Sequence, residues 1–127
     1  MTENAIARLV VDSAYRVHSA LGPGLLESVY QAVLALELAN KGLRHVCQQP
    51  VPVVYGPLQL KLGFRADIVV EDKVVIEIKS VETVMPVHKK QLLTYLRLMD
   101  KRLGLLINFN VVLIKDGITR VVNGLQE

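Results

Sequence analysis

The chain has a single cysteine, Cys47, among its 127 residues, and it has no tryptophan. One thiol excludes an intramolecular disulfide, and it also excludes a zinc site built from several thiolates. Such sparing use of cysteine is typical of a reducing compartment, so we expect a cytoplasmic protein. The aromatic residues are four tyrosines and two phenylalanines, which leaves few side chains for extensive stacking on nucleic-acid bases.

Long apolar runs are also absent. Apolar residues make up 51% of the chain, yet their longest runs have the length of strands and cannot span a bilayer. The N-terminal segment MTENAIARLVVD lacks the basic stretch and the cleavage site of a secretion signal. We therefore expect no membrane partner. The length suits one domain with its own core, and we predict a single domain over residues 1–127.

Charge is almost balanced, but its distribution is uneven. Residues 1–60 hold four basic and four acidic side chains, whereas residues 61–127 hold eleven basic and eight acidic ones. One basic patch, with Asp100 as its acidic neighbour, consists of Lys89, Lys90, Arg97, Lys101 and Arg102. A patch of this kind can attract phosphates, although most such patches are solvated helix faces.

The order of periodic segments predicts an α/β fold. Helical spacing of apolar residues is found over two N-terminal segments, residues 3–20 and 25–41. Four β-rich segments follow, at residues 51–55, 58–62, 64–70 and 74–80. The last predicted elements are a helix at 86–101, a strand at 103–109 and a hairpin over 111–122 that turns at Asp116-Gly117. Together these elements predict a mixed central sheet flanked by helices.

The segment VVIEIKS, residues 74–80, places two charges inside a strongly β-prone run. Because successive strand residues face opposite sides, Glu77 and Lys79 share one face. An antiparallel partner strand would bring Asp67 close to both. The two carboxylates and the Ile78 carbonyl form an all-oxygen site that suits Mg²⁺ or Mn²⁺, beside a lysine that can act on water or phosphate. The alternative is a surface ion pair that contributes little to stability.

Polar residues also fall on helix faces that should pack against the sheet. On the helix predicted at 86–101, Gln91 and Tyr95 border the apolar stripe. They could hydrogen-bond to a site carboxylate or to a nucleic-acid strand, or they could pair with each other at the edge of the core. On the second helix, Glu27 lies in the sector of buried leucines. It either interacts favourably with the helix N-terminus or reaches the sheet as a third carboxylate.

Taken together, these residues resemble the PD-(D/E)XK nuclease superfamily, and more closely its small GxxExxxY branch. The name-giving segment of the branch corresponds to residues 24–30, GLLESVY, with Tyr30 three residues after Glu27. The resemblance extends over about residues 5–122, through FRADIVVEDKVVIEIKSVE, PVHKKQLLTYL and GLLINF. Ala66 stands where the proline of the motif name would be, as in many members.

The resemblance implies a restriction-endonuclease-like αβββαβ core with an extra N-terminal helix. Position by position, it makes Asp67 and Glu77 ligands of a divalent metal, and Lys79 the residue that serves the water or the phosphate. Glu27 would be the acid from the first core helix and would join Asp67, Glu77 and the Ile78 carbonyl at the metal. Gln91 and Tyr95 match the Gln-x-x-x-Tyr of exonuclease-like members. The implied function is a nuclease that uses Mg²⁺ or Mn²⁺ and a metal-activated water to hydrolyse DNA or RNA.

Two other functions are compatible with the same residues. The first is a module that keeps the fold without turnover and binds nucleic acid or a protein partner. Its salt-dependent binding would survive the loss of Asp67 and Glu77 but would weaken when the basic patch is changed. The second is a structural subunit whose acids form only ion pairs, in which case divalent metal would not raise the melting temperature. A homodimer would suit the cutting of two strands.

Overall fold

The chain order of helices and strands agrees with the α/β fold expected from the sequence. A computed structural model describes residues 1–126. Within that range the elements are α1 (Glu3–Leu21), α2 (Glu27–Asn40), β1 (His45–Tyr55), β2 (Leu58–Val70), β3 (Val74–Lys79), α3 (Pro86–Met99), β4 (Leu103–Asn108) and β5 (Ile118–Val122). A short 3-10 helix at Ile114–Gly117 precedes β5.

Local capping fixes where α1 and α3 begin. The Thr2 side chain accepts a hydrogen bond from the Ala5 amide at 3.1 Å, which satisfies one of the free amides at the start of α1. Pro86 occupies the first turn of α3, where its missing N–H costs nothing. The His88 ring then accepts a hydrogen bond from the Met85 amide at 3.0 Å. These contacts set the start of α3, the helix that carries Gln91 and Tyr95.

The strands form one mixed sheet in the order β1-β2-β3-β4-β5 within the described residues. β3 and β4 are parallel and are joined by α3, whereas the other neighbouring pairs are antiparallel. α1 and α2 pack on one face of the sheet, against Ile68, Ile76 and Ile78 among others. α3 packs on the opposite face, in a cluster of Ala66, Val69, Val75, Leu92, Leu96 and Leu106. The sheet is therefore flanked by helices, as the sequence predicted.

Two strand assignments made from the sequence are wrong in detail. The β-rich segments 58–62 and 64–70 form one continuous strand, because Gly63 does not make a turn. A Cβ at Gly63 would instead overlap the Val53 side chain, so the glycine serves the close approach of two strands. β1 also begins earlier than predicted, at His45.

The predicted hairpin over 111–122 is also wrong. Residues 111–113 form no strand, and β5 pairs with β4. Gly117 is buried, and a Cβ there would overlap the Asn108 carbonyl oxygen. The sequence signal at Asp116-Gly117 indicated a turn between two strands. In the structure, Gly117 instead lets the backbone before β5 pass close to Asn108, the last residue of β4.

Among residues 1–126, no helix combines the length and the apolar character that a membrane crossing requires.

The packing of α3 on the sheet depends on Gly104. A Cβ at this position would lie 2.9–3.0 Å from three atoms of the fully buried Leu92 side chain. We expect Gly104→Ala to lower the free energy of unfolding by about 1–3 kcal/mol, because the added methyl group overpacks this contact. Urea denaturation followed by circular dichroism measures the change. Leu92→Val combined with Gly104→Ala is the matched test, since the smaller side chain should restore part of the loss; strict additivity of the two changes would contradict this explanation.

Candidate active site

The two central carboxylates lie where β2 and β3 separate. Backbone pairing between these strands includes Val70 with Val74 and reaches Ile68 with Ile76. Continuing the register would place Asp67 opposite Glu77, but the ladder stops before them. The sheet therefore opens at Asp67, and the side chains of the two acids occupy the opening.

Two bonds between side chain and backbone replace the missing ladder. The Asp67 amide donates to Glu77 Oε1 at 3.2 Å. In return, the Ile78 amide donates to Asp67 Oδ2 at 2.8 Å. Each acid therefore binds the backbone of the opposite strand, which fixes both carboxylates in position.

Burial and the charge of the neighbouring Asp67 raise the pKa of Glu77. The Glu77 residue is 7% exposed. Burial, followed by the charge of Asp67, raises the pKa of Glu77 from its ordinary value of 4.5 to about 8. The positive charge of Lys79 opposes this shift. Without a cation between the two acids, Glu77 is therefore largely protonated at neutral pH.

The end of β3 that carries Lys79 is fixed by β4. Lys79 is partly buried, and its carbonyl accepts a hydrogen bond from the Phe109 amide at 3.0 Å. The buried Asn108 side chain binds both the amide and the carbonyl of Val81, at 3.1 and 3.0 Å. These contacts order the segment after β3. They also fix the backbone of Lys79, from which its side chain extends beside Glu77.

On the other side of the opening, α3 contributes Tyr95 and Gln91. The Tyr95 ring stacks on Phe64 of β2, with ring centroids 3.7 Å apart and planes inclined by 8°. Burial raises the pKa of Tyr95, and the charges of Glu77 and Asp67 raise it further, whereas a hydrogen bond with Gln91 lowers it. Tyr95 therefore lies close enough to the two acids for their charges to act on it, and Gln91 contacts Tyr95.

Glu27 is exposed and lies at the edge of the site. It is the first residue of α2, and its Oε2 accepts a hydrogen bond from the Ser80 amide at 3.3 Å. The loop before it is held by Tyr30, whose hydroxyl donates to the Gly22 carbonyl at 2.6 Å and accepts from the Leu25 amide at 3.1 Å. Tyr30 is fully buried and stacks on Phe109. The tyrosine of the GLLESVY segment therefore positions the helix start that carries Glu27.

Sequence reasoning missed two glutamines that support Asp67. The Gln48 side chain donates to Asp67 Oδ1 at 3.2 Å and to Gln31 Oε1 at 2.7 Å, which links β1 and α2 to the acid. Gln48 has a φ of 54°, which is unusual for a residue inside a strand. It lies opposite Asp67, at the position where the β1–β2 ladder is interrupted. The pattern of the sequence carries no signal for this backbone turn.

Asp67 and Glu77 supply two acidic side chains for a cation. Within the described part of the chain, no group of three or more His, Cys, Asp or Glu side chains is placed to hold a metal ion. The third oxygen that could bind a cation is the backbone carbonyl of Ile78. The Ile78 amide points toward the β2 side, and because the N–H and C=O of one strand residue point the same way, its carbonyl does so too.

The raised pKa of Glu77 predicts a pH-dependent stability for the metal-free protein. The folded state keeps a proton on Glu77 up to about pH 8, whereas the unfolded chain loses it near pH 4.5. The folded state binds more protons in this range, so the free energy of unfolding should fall as the pH rises from about 4.5 to about 8. Glu77→Gln should reduce this fall and be the more stable protein at pH 8. Denaturant titrations in EDTA measure both effects.

The matched control is Glu82→Gln, which removes an exposed acid a few residues beyond β3. It should keep the pH dependence of the wild type. If Glu77→Gln and the wild type lose stability in parallel between pH 5 and pH 8, the raised pKa of Glu77 is contradicted.

Comparison with known proteins identifies the family. The chain matches the model of the PD-(D/E)XK nuclease superfamily over residues 4–121. No curated protein shows significant similarity to it. Among solved structures, the crystal structure of SSO0001 aligns over 92% of this chain and 67% of that chain, with 23% identity and a TM-score of 0.47. Because the family model spans nearly the whole sequence, the chain belongs to the PD-(D/E)XK nuclease superfamily.

Proposed function

We propose that this protein is a divalent-metal-dependent phosphodiesterase that hydrolyses DNA or RNA. The observation that carries the proposal is the opening between β2 and β3, where Asp67 and Glu77 bind each other's strands beside Lys79. Residues 24–30 support placement in the GxxExxxY branch. In this proposal the backbone contact of Tyr30 serves to position Glu27.

The donor set fits a hard cation such as Mg²⁺ or Mn²⁺. The ligands would be the carboxylates of Asp67 and Glu77 and the carbonyl of Ile78, all of them oxygens. A cation would also favour the ionised form of Glu77, whose pKa is raised by burial and by the charge of Asp67. When bound, it would lower the pKa of an attacking water and withdraw charge from the phosphate. Glu27 would lie at the edge of the site, where its carboxylate accepts a hydrogen bond from the Ser80 amide and so holds the segment that follows Lys79.

The remaining site residues would bind and orient the substrate. Lys79 lies close enough to Glu77 for its charge to act there, so its ammonium group can meet a phosphate oxygen or hold the attacking water. Tyr95 is fixed by its stack on Phe64, and its hydroxyl can donate to a phosphate oxygen. Gln91 is exposed next to it and can hydrogen-bond to the same strand of nucleic acid.

A binding module without turnover is the second candidate. Three cations of α3, Lys89, Lys90 and Arg97, are exposed and can neutralise phosphates without a metal. The other two members of the basic patch already have acidic partners: Lys101 lies 3.0 Å from Asp72, and Arg102 lies 2.6 Å from Asp100. Under this function, binding would be salt-dependent and would survive the loss of the site carboxylates.

Cleavage of labelled single-stranded DNA, double-stranded DNA and RNA tests the proposal. We expect cleavage with Mg²⁺ or Mn²⁺ and none in EDTA. Lys79→Ala should reduce the rate by about 100-fold or more, because it removes a charge that acts on the transition state. Lys115→Ala is the matched control, since it removes an exposed lysine outside the site and should leave the rate unchanged.

Equal cleavage by Lys79→Ala and the wild type would contradict the proposed role of Lys79. Binding that persists in Asp67→Ala, with no cleavage by the wild type on any substrate, would establish the binding module instead. A melting temperature that does not change with Mn²⁺ would contradict the proposed metal site, because a ligand that binds the folded state must stabilise it.

A further inference from the structure

The outer parts of β1 and β2 form a two-stranded ribbon that projects from the sheet. β3 pairs with β2 at residues 68–70, so among the described residues the earlier part of β2 pairs with β1 alone. We use the term ribbon for residues 53–62, which include the turn between the two strands. A two-stranded ribbon exposed to water is only marginally stable by itself.

The ribbon is unusually apolar for a segment surrounded by solvent. Its exposed apolar residues are Val54, Tyr55, Leu58, Leu60 and Leu62, with exposed fractions from 49% for Leu60 to 81% for Tyr55. Lys61 is the single charged residue of the ribbon. Exposed strand pairs are normally protected from association by charged side chains. A contiguous apolar surface in this place indicates a binding surface.

The strand register places several of these side chains on one face. Tyr55 pairs with Leu58, and Val53 pairs with Leu60, so all four side chains project to the same side. Val54 pairs with Gln59 on the opposite side. The ribbon therefore has an apolar face, defined by residues 53, 55, 58 and 60, and a more polar face that includes Gln59.

We propose that the apolar face of the ribbon binds the same face of a second copy of this chain. The near-neutral ribbon offers no charge complementarity to a nucleic acid or to a strongly charged protein, and two copies of it do not repel each other. A two-fold dimer requires one patch that fits itself, which an uncharged apolar stripe satisfies. This inference does not depend on the proposed nuclease activity.

The open strand edges favour face-to-face packing over strand addition. β1 carries Pro50 and Pro52, which lack the N–H groups that a new neighbouring strand would bind. The free edge of β2 leads directly to Asp67, so a strand added there would cover the acids. Packing through the face leaves both edges unchanged.

The size of the apolar face sets the strength of the expected dimer. The apolar face consists of four side chains, far fewer than the roughly 20–30 residues that each partner contributes to a standard protein interface. We therefore expect a reversible dimer that forms with rising protein concentration in the micromolar range, not a permanent one.

Sedimentation velocity over a range of protein concentrations tests this inference. The full chain should shift from monomer to dimer as its concentration rises. Leu60→Lys should raise the dissociation constant about tenfold or more, because it places a cation on the apolar face. Gln59→Lys is the matched control: it adds the same charge at the neighbouring position, but on the opposite face, and should leave the dissociation constant nearly unchanged.

Two results would overturn the inference. The first is a monomer at all concentrations. The second is an equal effect of Leu60→Lys and Gln59→Lys on dimerisation, which would show that the contact does not use the apolar face. Circular dichroism melting checks that each variant is folded. If Leu60→Lys is not, Tyr55→Ser at the ribbon tip supplies the same test, since that side chain is already largely exposed.

Discussion

The candidate site depends on one exchange of hydrogen bonds between neighbouring strands. Where β2 leaves β3, the Asp67 amide binds the Glu77 carboxylate, and the Ile78 amide binds the Asp67 carboxylate. These bonds satisfy backbone groups that the ladder no longer pairs, and they hold two acids together in a largely buried place. The same two hydrogen bonds therefore stabilise the opening of the sheet and set the geometry of the two acids.

The surrounding elements serve to maintain that opening. Gln48 of β1, which has a positive φ, donates to Asp67 Oδ1 and to Gln31 of α2, and so connects the acid to that helix. Asn108 orders the chain that leaves β3, and Tyr30 fixes the loop before Glu27. α3 closes the other side with the stacked Tyr95. Each of these contacts joins a different element to the site, which explains why the site residues are distributed over most of the sequence.

Strand periodicity was sufficient to predict part of this arrangement. The alternation of VVIEIKS predicts that Glu77 and Lys79 share one face and that an antiparallel partner strand brings Asp67 near them; the structure places Asp67 against Glu77. The rest depends on tertiary contacts that local patterns do not carry. The positive φ of Gln48 is one case. Gly117 is another, because its sequence context indicated a hairpin turn, whereas its position serves a close contact with the Asn108 carbonyl.

In the function proposed above, the opening between β2 and β3 holds a divalent metal ion. The most direct measurement is anomalous diffraction from a crystal grown with Mn²⁺. We expect an anomalous peak bound by the Asp67 and Glu77 carboxylates and by the Ile78 carbonyl, at the short distances typical of oxygen ligands. A crystal of the protein with Mn²⁺ in the solution, but with no peak between these two acids, would contradict it.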